Sequence, residues 1–530
     1  MATASPMGSP DHRRAVRTTC WAACLVVALA TPACGEGFKH CSFYLHEGWL
    51  YNHPFAVRSW SREDFASMYQ LLHRFGFDRV MNWPMFEAIP APLSENDSRS
   101  LREYRRTIDD AHAAGLEFWL VQCANLTPRP EIAAKPWKER NPYPVWNRVR
   151  LDHADEAFAY LAHRRAMMEI VNSADAYVTI DGDPGGYPGA KPEEWLSVFQ
   201  SDRATIDAVG VDSPHQRVVP WIWCGWGTDR IWGEGLAPAV RSSLELFSRR
   251  LPEPSALLCG RSHRDGWANG RINVELTAAA GLMPRSTILC YEAIEFEPAI
   301  PAAVLQFGLI RNILREEAAH AAVAEGVCGN AQQPVMVLPN LYFFARSARD
   351  IRYLDTPDNE VLEDLADLLG GPRDVLVPAW RCLALHLPDL PSDLASRLRE
   401  TSLTGETAAC IPGGPKRYVE ILAAQVESRR SFLEAIAEKP SSDEDAARRL
   451  AAATAALVSW WQIHHYVGDG GRDAGFAWRF VRAEDVAVLK QWIAEHIAAP
   501  EQAAVGASPL VAASVGFDEA EALARIKELL

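Results

Sequence analysis

The stretch Ile180-Asp181-Gly182-Asp183-Pro184-Gly185-Gly186 sets two carboxylates one residue apart, directly after the apolar run Ala176-Tyr177-Val178-Thr179. A buried strand that ends in acids delivers them to the edge where parallel sheets and barrels bind their ligands. The competing reading is an Asx-type turn, in which Asp181 or Asp183 only satisfies loop amides. Other strand-like runs end in the same way. Their last residues are Glu47; Asn82 and Trp83; Gln122; Trp223, Trp226 and Asp229; Arg261 and His263; Glu292; and Asn330. Carboxylates, amides and Trp together suit a polyhydroxylated ring, because acids and amides bind hydroxyls and indoles stack on the C–H face. In glycosidic cleavage one carboxyl donates a proton to the leaving oxygen while the other attacks the sugar or activates water. Asp183 is the candidate general acid/base, with Asp181 raising its pKa or orienting it. Glu292 is the candidate nucleophile or general base, and Glu295 and Glu297 stand in reserve. Glu47, Asn82, Trp83, Gln122, Trp223, Trp226, Asp229, Arg261, His263 and Asn330 are the candidate substrate-binding residues.

Eight strand-like runs must position these groups: 40–47, 78–83, 117–122, 176–180, 216–223, 255–260, 286–292 and the glycine-rich 326–330. They alternate with segments of helical periodicity, including Arg62–Phe75 after the cap Ser61, 98–114 before the stop Gly115, 155–173, 237–249, 301–325 and 338–348. The strands are almost continuously apolar, as a sheet covered on both faces requires. Eight such pairs in about 310 residues predict an α/β fold, a (β/α)₈ TIM barrel over 38–350. From Asp355 onward, 360–369, 375–386, 417–438, 443–466, 483–496 and 517–530 all read as helices, so 355–530 is expected to be all-α.

At 530 residues the chain can bury a large core, and 48% hydrophobic with 23% charged residues is ordinary globular composition. A formal charge of −15 leaves no broad basic footprint, which argues against nucleic acid as a partner. Arg13, Arg14 and Arg17, then the apolar run Trp21–Ala30, then Thr31-Pro32-Ala33-Cys34, have the layout of a secretory signal over 1–34. Export to the envelope or beyond is the expectation, with any membrane attachment confined to that N-terminus. The 11 cysteines form no CxxC or Cys/His cluster, so buried thiols are expected rather than a zinc site or a disulfide framework.

The layout of leader, barrel and helical region resembles carbohydrate-active barrels such as the α-glucuronidases and bacterial β-N-acetylhexosaminidases. Ile180-Asp181-Gly182-Asp183 resembles the paired acids at the fourth strand of the substrate-assisted hexosaminidases. The resemblance implies a carbohydrate substrate, catalysis by acids at that strand, and no cofactor. Two other classes stay open. One is a metal-dependent hydrolase that uses His263 and the acids, although His40 and His46 lack the His-x-His spacing. The other is a barrel that binds sugar without turnover. No GxSxG elbow, P-loop or dinucleotide fingerprint stands in the required context.

Overall fold

The computed structural model describes residues 37–48, 53–55, 57–135, 146–182, 185–227, 236–261, 271–295, 305–382, 391–464 and 483–496. Ten strands lie among them: β1 (His40–His46), β2 (Arg79–Trp83), β3 (Glu117–Cys123), β4 (Leu126–Pro128), β5 (Trp146–Arg148), β6 (Ala176–Ile180), β7 (Arg217–Ile222), β8 (Leu257–Arg261), β9 (Ser286–Cys290) and β10 (Gly326–Ala331). Eight of these close a parallel barrel in the order β1-β2-β3-β6-β7-β8-β9-β10, and β10 pairs back onto β1. β4 and β5 form a separate antiparallel pair inside the long loop after β3. Local periodicity does not announce that pair, because three-residue strands draw their stability from the partner rather than from their own sequence.

The helices over the barrel are α1 (Arg62–Phe75), α2 (Glu95–Ala113), α3 (Pro130–Ala133), α4 (Ala154–Ile170), α5 (Pro192–Val209), α6 (Leu236–Arg250), α7 (Ile272–Ala279), α8 (Phe307–Glu317) and α9 (Leu338–Arg349). The chain continues as α10 (Asp358–Leu369), α11 (Arg373–Cys382), α12 (Leu394–Glu400), α13 (Pro415–Ile436), α14 (Asp443–His464) and α15 (Ala483–His496). The expected cap of α1 is present: Ser61 Oγ accepts from Asp64 N at 3.2 Å, and the Asp64 carboxylate accepts from Ser61 N at 2.9 Å. The helices α3, α5, α7 and α12 are not among those expected from periodicity. The long helix expected over 301–325 is shorter within the described residues, ending at Glu317 before a 3₁₀ turn at Ala318–His320.

The eighth strand, weakest by propensity, forms because closure needs its glycines. A Cβ at Gly326 would stand 2.7 Å from the His40 carbonyl oxygen, and one at Gly329 would stand 2.4 Å from Ile294 Cδ1. Neighbouring backbone and side chains thus occupy the space a larger residue would need.

Side chains alternate strictly around the ring. Tyr44, Met81, Trp119, Val178, Val219, Leu258, Leu289 and Cys328 pack against one another inside the barrel. Phe43, Val80, Phe118, Tyr177, Val218, Cys259, Ile288 and Val327 point outward into the helix layer. At the bottom, Arg79 and Arg217 each bridge Glu117 and Glu325, with contacts of 2.5–3.1 Å, so four charges close a ring beneath Trp119. Arg79 also stacks on that indole, its guanidinium carbon 4.2 Å from the ring centroid.

The outer layer is continuous with the helical region. Gly413 N donates to Asp64 Oδ1 at 2.9 Å, and Arg74 reaches Glu406 at 3.3 Å. All eight described cysteines are buried free thiols. Among the described residues no helix is long and apolar enough to cross a membrane.

Arg164 on α4 ties the wall together. Its guanidinium donates to both carboxylate oxygens of Asp202 on α5 at 2.7 and 2.8 Å, to the Cys123 carbonyl at 2.7 Å and to Thr179 Oγ1 at 2.7 Å. Both charged side chains are almost wholly inaccessible. Arg164→Met would leave Asp202 as a buried charge without its partner and should cost about 3–5 kcal/mol. Thermal or urea unfolding of the variant checks this, and a shift of under about 1 kcal/mol would contradict the tie.

Candidate active site

Period-two alternation decides which strand-end residues face the mouth of the barrel. Trp83, Trp223 and Asn330 carry the inward parity, in step with Met81, Trp221 and Cys328. Around them stand residues that the sequence reading did not select: Tyr44, His46, Trp221 and Tyr291. Ring centroids run from His46 to Trp83 at 4.9 Å, Tyr44 to Trp221 at 5.2 Å, Trp221 to Trp223 at 6.1 Å and Trp223 to Tyr291 at 4.8 Å. The mouth is therefore lined by a near-continuous aromatic wall. Gly260 makes room for it, since a Cβ there would lie 2.2 Å from the Trp223 ring. Counting in twos along each strand is the signal that finds these residues. On β7 the count runs through Val219, Trp221 and Trp223, and on β1 it runs from Tyr44 to His46.

His46 Nδ1 accepts from Gly48 N at 2.8 Å, which leaves the proton on Nε2. Burial lowers its pKa to about 3, so the ring is neutral. Glu292 follows Tyr291 with φ 67, one of two non-glycine residues with positive φ in the described chain. A left-handed φ at a buried, non-glycine residue costs free energy that the surroundings must offset. One offsetting contact is visible: Glu292 N donates to Asn330 Oδ1 at 2.7 Å. The other end of that amide, Asn330 Nδ2, is a buried donor with no partner among the described residues, which is where a ligand acceptor would be met.

Most of the other acids and amides sit on the outer side of the wall. Glu47 Oε1 accepts from Asn82 Nδ2 at 2.8 Å, a pair made between the ends of β1 and β2. Gln122 shares the outward parity of Phe118 and Leu120, and it is buried with Nε2 unpartnered among the described residues. Trp226 stacks on Trp195 of α5 at 6.0 Å and donates from Nε1 to the Lys191 carbonyl at 2.7 Å. It is part of the helix layer instead of the mouth. Arg261 likewise departs from expectation. It has the parity of Leu257 and Cys259, and its guanidinium pairs with Glu317 at 2.7 Å and with Glu316 on α8. Asp183, Asp229, His263 and Glu297 lie outside the described residues.

Asp181 is fully engaged. Oδ1 accepts from Trp223 N at 3.1 Å and Cys224 N at 2.9 Å, and Oδ2 accepts from Gly225 N at 2.8 Å. The acid after β6 thus fastens the loop after β7. The same device recurs: Glu87, after β2, accepts from Cys123 N on β3 and from Trp83 Nε1 at 3.2 Å. Glu295, after β9, accepts from Gln332 N and Gln333 N after β10. Glu87 was not among the expected site residues. Burial raises its pKa, and the Cys123 amide opposes that rise.

Among the described residues, no three His, Cys, Asp or Glu side chains gather as a metal site would. No protein-family model matches the sequence, and no curated protein matches it. Solved structures similar to the chain include one described as a GH138 enzyme targeting pectin rhamnogalacturonan II, at 9% identity. The match covers 93% of this chain and 67% of that one, with a TM-score of 0.46. A Thermobaculum terrenum O-GlcNAc hydrolase mutant matches at 11% identity over 88% of this chain and 95% of that one, TM-score 0.44. The structure of CpGH84D matches at 9% identity over 89% and 70%, TM-score 0.43. Values this low describe a likeness of architecture alone.

Burial lifts the Asp181 carboxyl from its ordinary 3.8 to about 7, against the pull of its three amide donors. The folded chain therefore holds a proton that the unfolded chain releases between those values. This group's stabilising contribution is present at low pH and falls as pH rises through that window. Asp181→Asn removes the titration and one acceptor oxygen. It should cost about 1–3 kcal/mol and flatten the melting temperature between about pH 4 and pH 7. Melting curves of both proteins across that range test it, and an unchanged slope would exclude Asp181 as the titrating group.

Proposed function

We propose that this chain is a glycoside hydrolase that works with two carboxylates at the mouth of its barrel. The observation that carries the reading is the aromatic wall of Tyr44, His46, Trp83, Trp221, Trp223 and Tyr291, set beside an unpartnered Asn330 amide and the left-handed Glu292. Indole faces take the C–H face of a sugar, the amide takes a hydroxyl, and a carboxylate on a rigid turn is held for reaction at the anomeric carbon. In this reading Glu292 is the nucleophile or general base and Asp183 the general acid/base. Asp181 is a positioning residue, which acts by holding Trp223, Cys224 and Gly225 in the loop that carries part of the wall.

A second reading is favoured by the amide-bound state of Asp181, Glu87 and Glu295. If strand-end acids serve only to fasten loops, the mouth binds a saccharide without cleaving it. Turnover separates the two. A panel of aryl glycosides with hexose, N-acetylhexosaminide and glucuronide donors should release the aryl alcohol with at least one of them, with or without chelator.

Glu292→Gln and Asp183→Asn should each lower turnover by about 10³-fold or more while leaving the melting temperature within about 2 °C. Wild-type-like turnover in both variants would remove the proposed pair. Saccharide binding with no turnover in the wild type would establish the second reading.

A further inference from the structure

Among the described residues three large hydrophobic side chains are exposed, and Phe158 on α4 is the most so at 77%. Val211 and Val323 stand in turns, where an isolated apolar residue on the surface is ordinary. Phe158 differs, because it lies inside a helix whose other face is already committed. Tyr160, His163, Arg164, Met167 and Met168 are on the buried side of α4, and the helix is flanked by α2 and α5. The outer side carries Asp155, Phe158, Ala162, Arg165 and Glu169, all exposed, at spacings of three and four residues that hold them in one row.

That row has a symmetry of its own. Asp155 and Arg165 are equidistant along the helix from Tyr160, and so are Phe158 and Ala162. Two copies of α4 laid antiparallel about a two-fold axis at the level of Tyr160 therefore set Asp155 of one against Arg165 of the other, twice. At a rise of ~1.5 Å per residue the two ion pairs stand about 15 Å apart. Between them each Phe158 ring meets Ala162 of the second copy, a side chain small enough to leave room for it. A parallel alignment would bring Asp155 onto Asp155 and Arg165 onto Arg165, so charge selects the antiparallel one. Arg165 pairs on its own chain with Glu169, one turn on, at 2.9 Å, with the two side chains 52% and 43% exposed. A surface pair of that kind is weak enough to be shared or exchanged.

We propose that the outer face of α4 is a self-association surface, and that its occupant is α4 of a second copy of this chain in antiparallel register. The area one helix face can bury is at the low end for specific interfaces, so the dimer is reversible and its population follows concentration. Phe158 is its apolar centre, and Asp155 with Arg165 sets the direction. The surface is independent of the chemistry at the barrel mouth.

Sedimentation velocity of the full-length protein over about 1–500 µM tests it. The wild type should shift reversibly from monomer to dimer across that range. Phe158→Asp should weaken association about tenfold or more. Asp155→Arg and Arg165→Asp should each do the same, by setting like charges against one another at both ends of the contact. The double variant Asp155→Arg, Arg165→Asp should recover wild-type association to within about threefold, and a mixture of the two single variants should associate more tightly than either does alone. Melting temperatures within about 2 °C of wild type verify folding, since all three positions are on the surface. A wild type that stays monomeric throughout overturns the proposal. Association that Phe158→Asp leaves unchanged overturns it too, by moving the contact to another face. A double variant no better than the single ones excludes the antiparallel register and overturns it as well.

Discussion

Closure of a parallel barrel leaves every strand residue one of two addresses, and that single constraint orders the rest of the molecule. Once β10 pairs with both β9 and β1, the register is fixed around the ring, and no strand can slip without turning its apolar set into the wrong layer. The glycines at Gly326 and Gly329 are what allow the last strand to come close enough. The alternation then sends Trp83, Trp221, Trp223 and Tyr291 inward and Asn82, Gln122 and Arg261 outward. Chemistry at the mouth is restricted to what the inward set carries or what the turns beyond it return.

The turns beyond the strands are held by carboxylates that reach from one strand end to the next. Glu47, Glu87, Asp181 and Glu295 each accept from the neighbour that follows around the ring. Strand ends leave ladder amides without backbone partners, and an acid side chain satisfies them more strongly than water does, provided it is held in place. Such fastening also keeps the mouth pre-organised, because a wall of large aromatic rings is useful for binding only if the loops bearing it do not relax. The opposite pole is closed by the ring of Arg79, Glu117, Arg217 and Glu325, so the barrel is bounded by charge at its base and by aromatic surface at its top.

The outward-facing polar residues are not idle. Arg261 bonds the wall to α8, Arg164 binds β3 and β6 to α4 and α5, and Glu47 lines a cavity between α1 and α2. The same parity that removed Glu47 from the mouth placed it where two helices diverge. One architectural rule thus yields two polar environments, one inside the ring and one behind it.

Composition, periodicity and punctuation were enough to locate all eight barrel strands, the cap at Ser61 and the helical character of the described residues after Asp355; the helix expected over 517–530 lies outside the described residues. These features are local: each depends on residues within a few turns or one pleat of one another. The acids at the strand ends were legible as well, since a run such as Val178-Thr179-Ile180-Asp181 states its own boundary. Which of those acids faces a substrate and which faces a neighbouring loop was decided only by the tertiary structure. Asp181 could not be assigned to the amides of Trp223, Cys224 and Gly225 from sequence, because those partners lie more than 40 positions away. Nor could Glu87 be seen as a partner of Cys123, or Arg261 as a partner of Glu317, before closure brought them together. Strand alternation was written in the chain all along, but its phase relative to the barrel axis is set by the pairing of distant strands, and that phase determines where each side chain points.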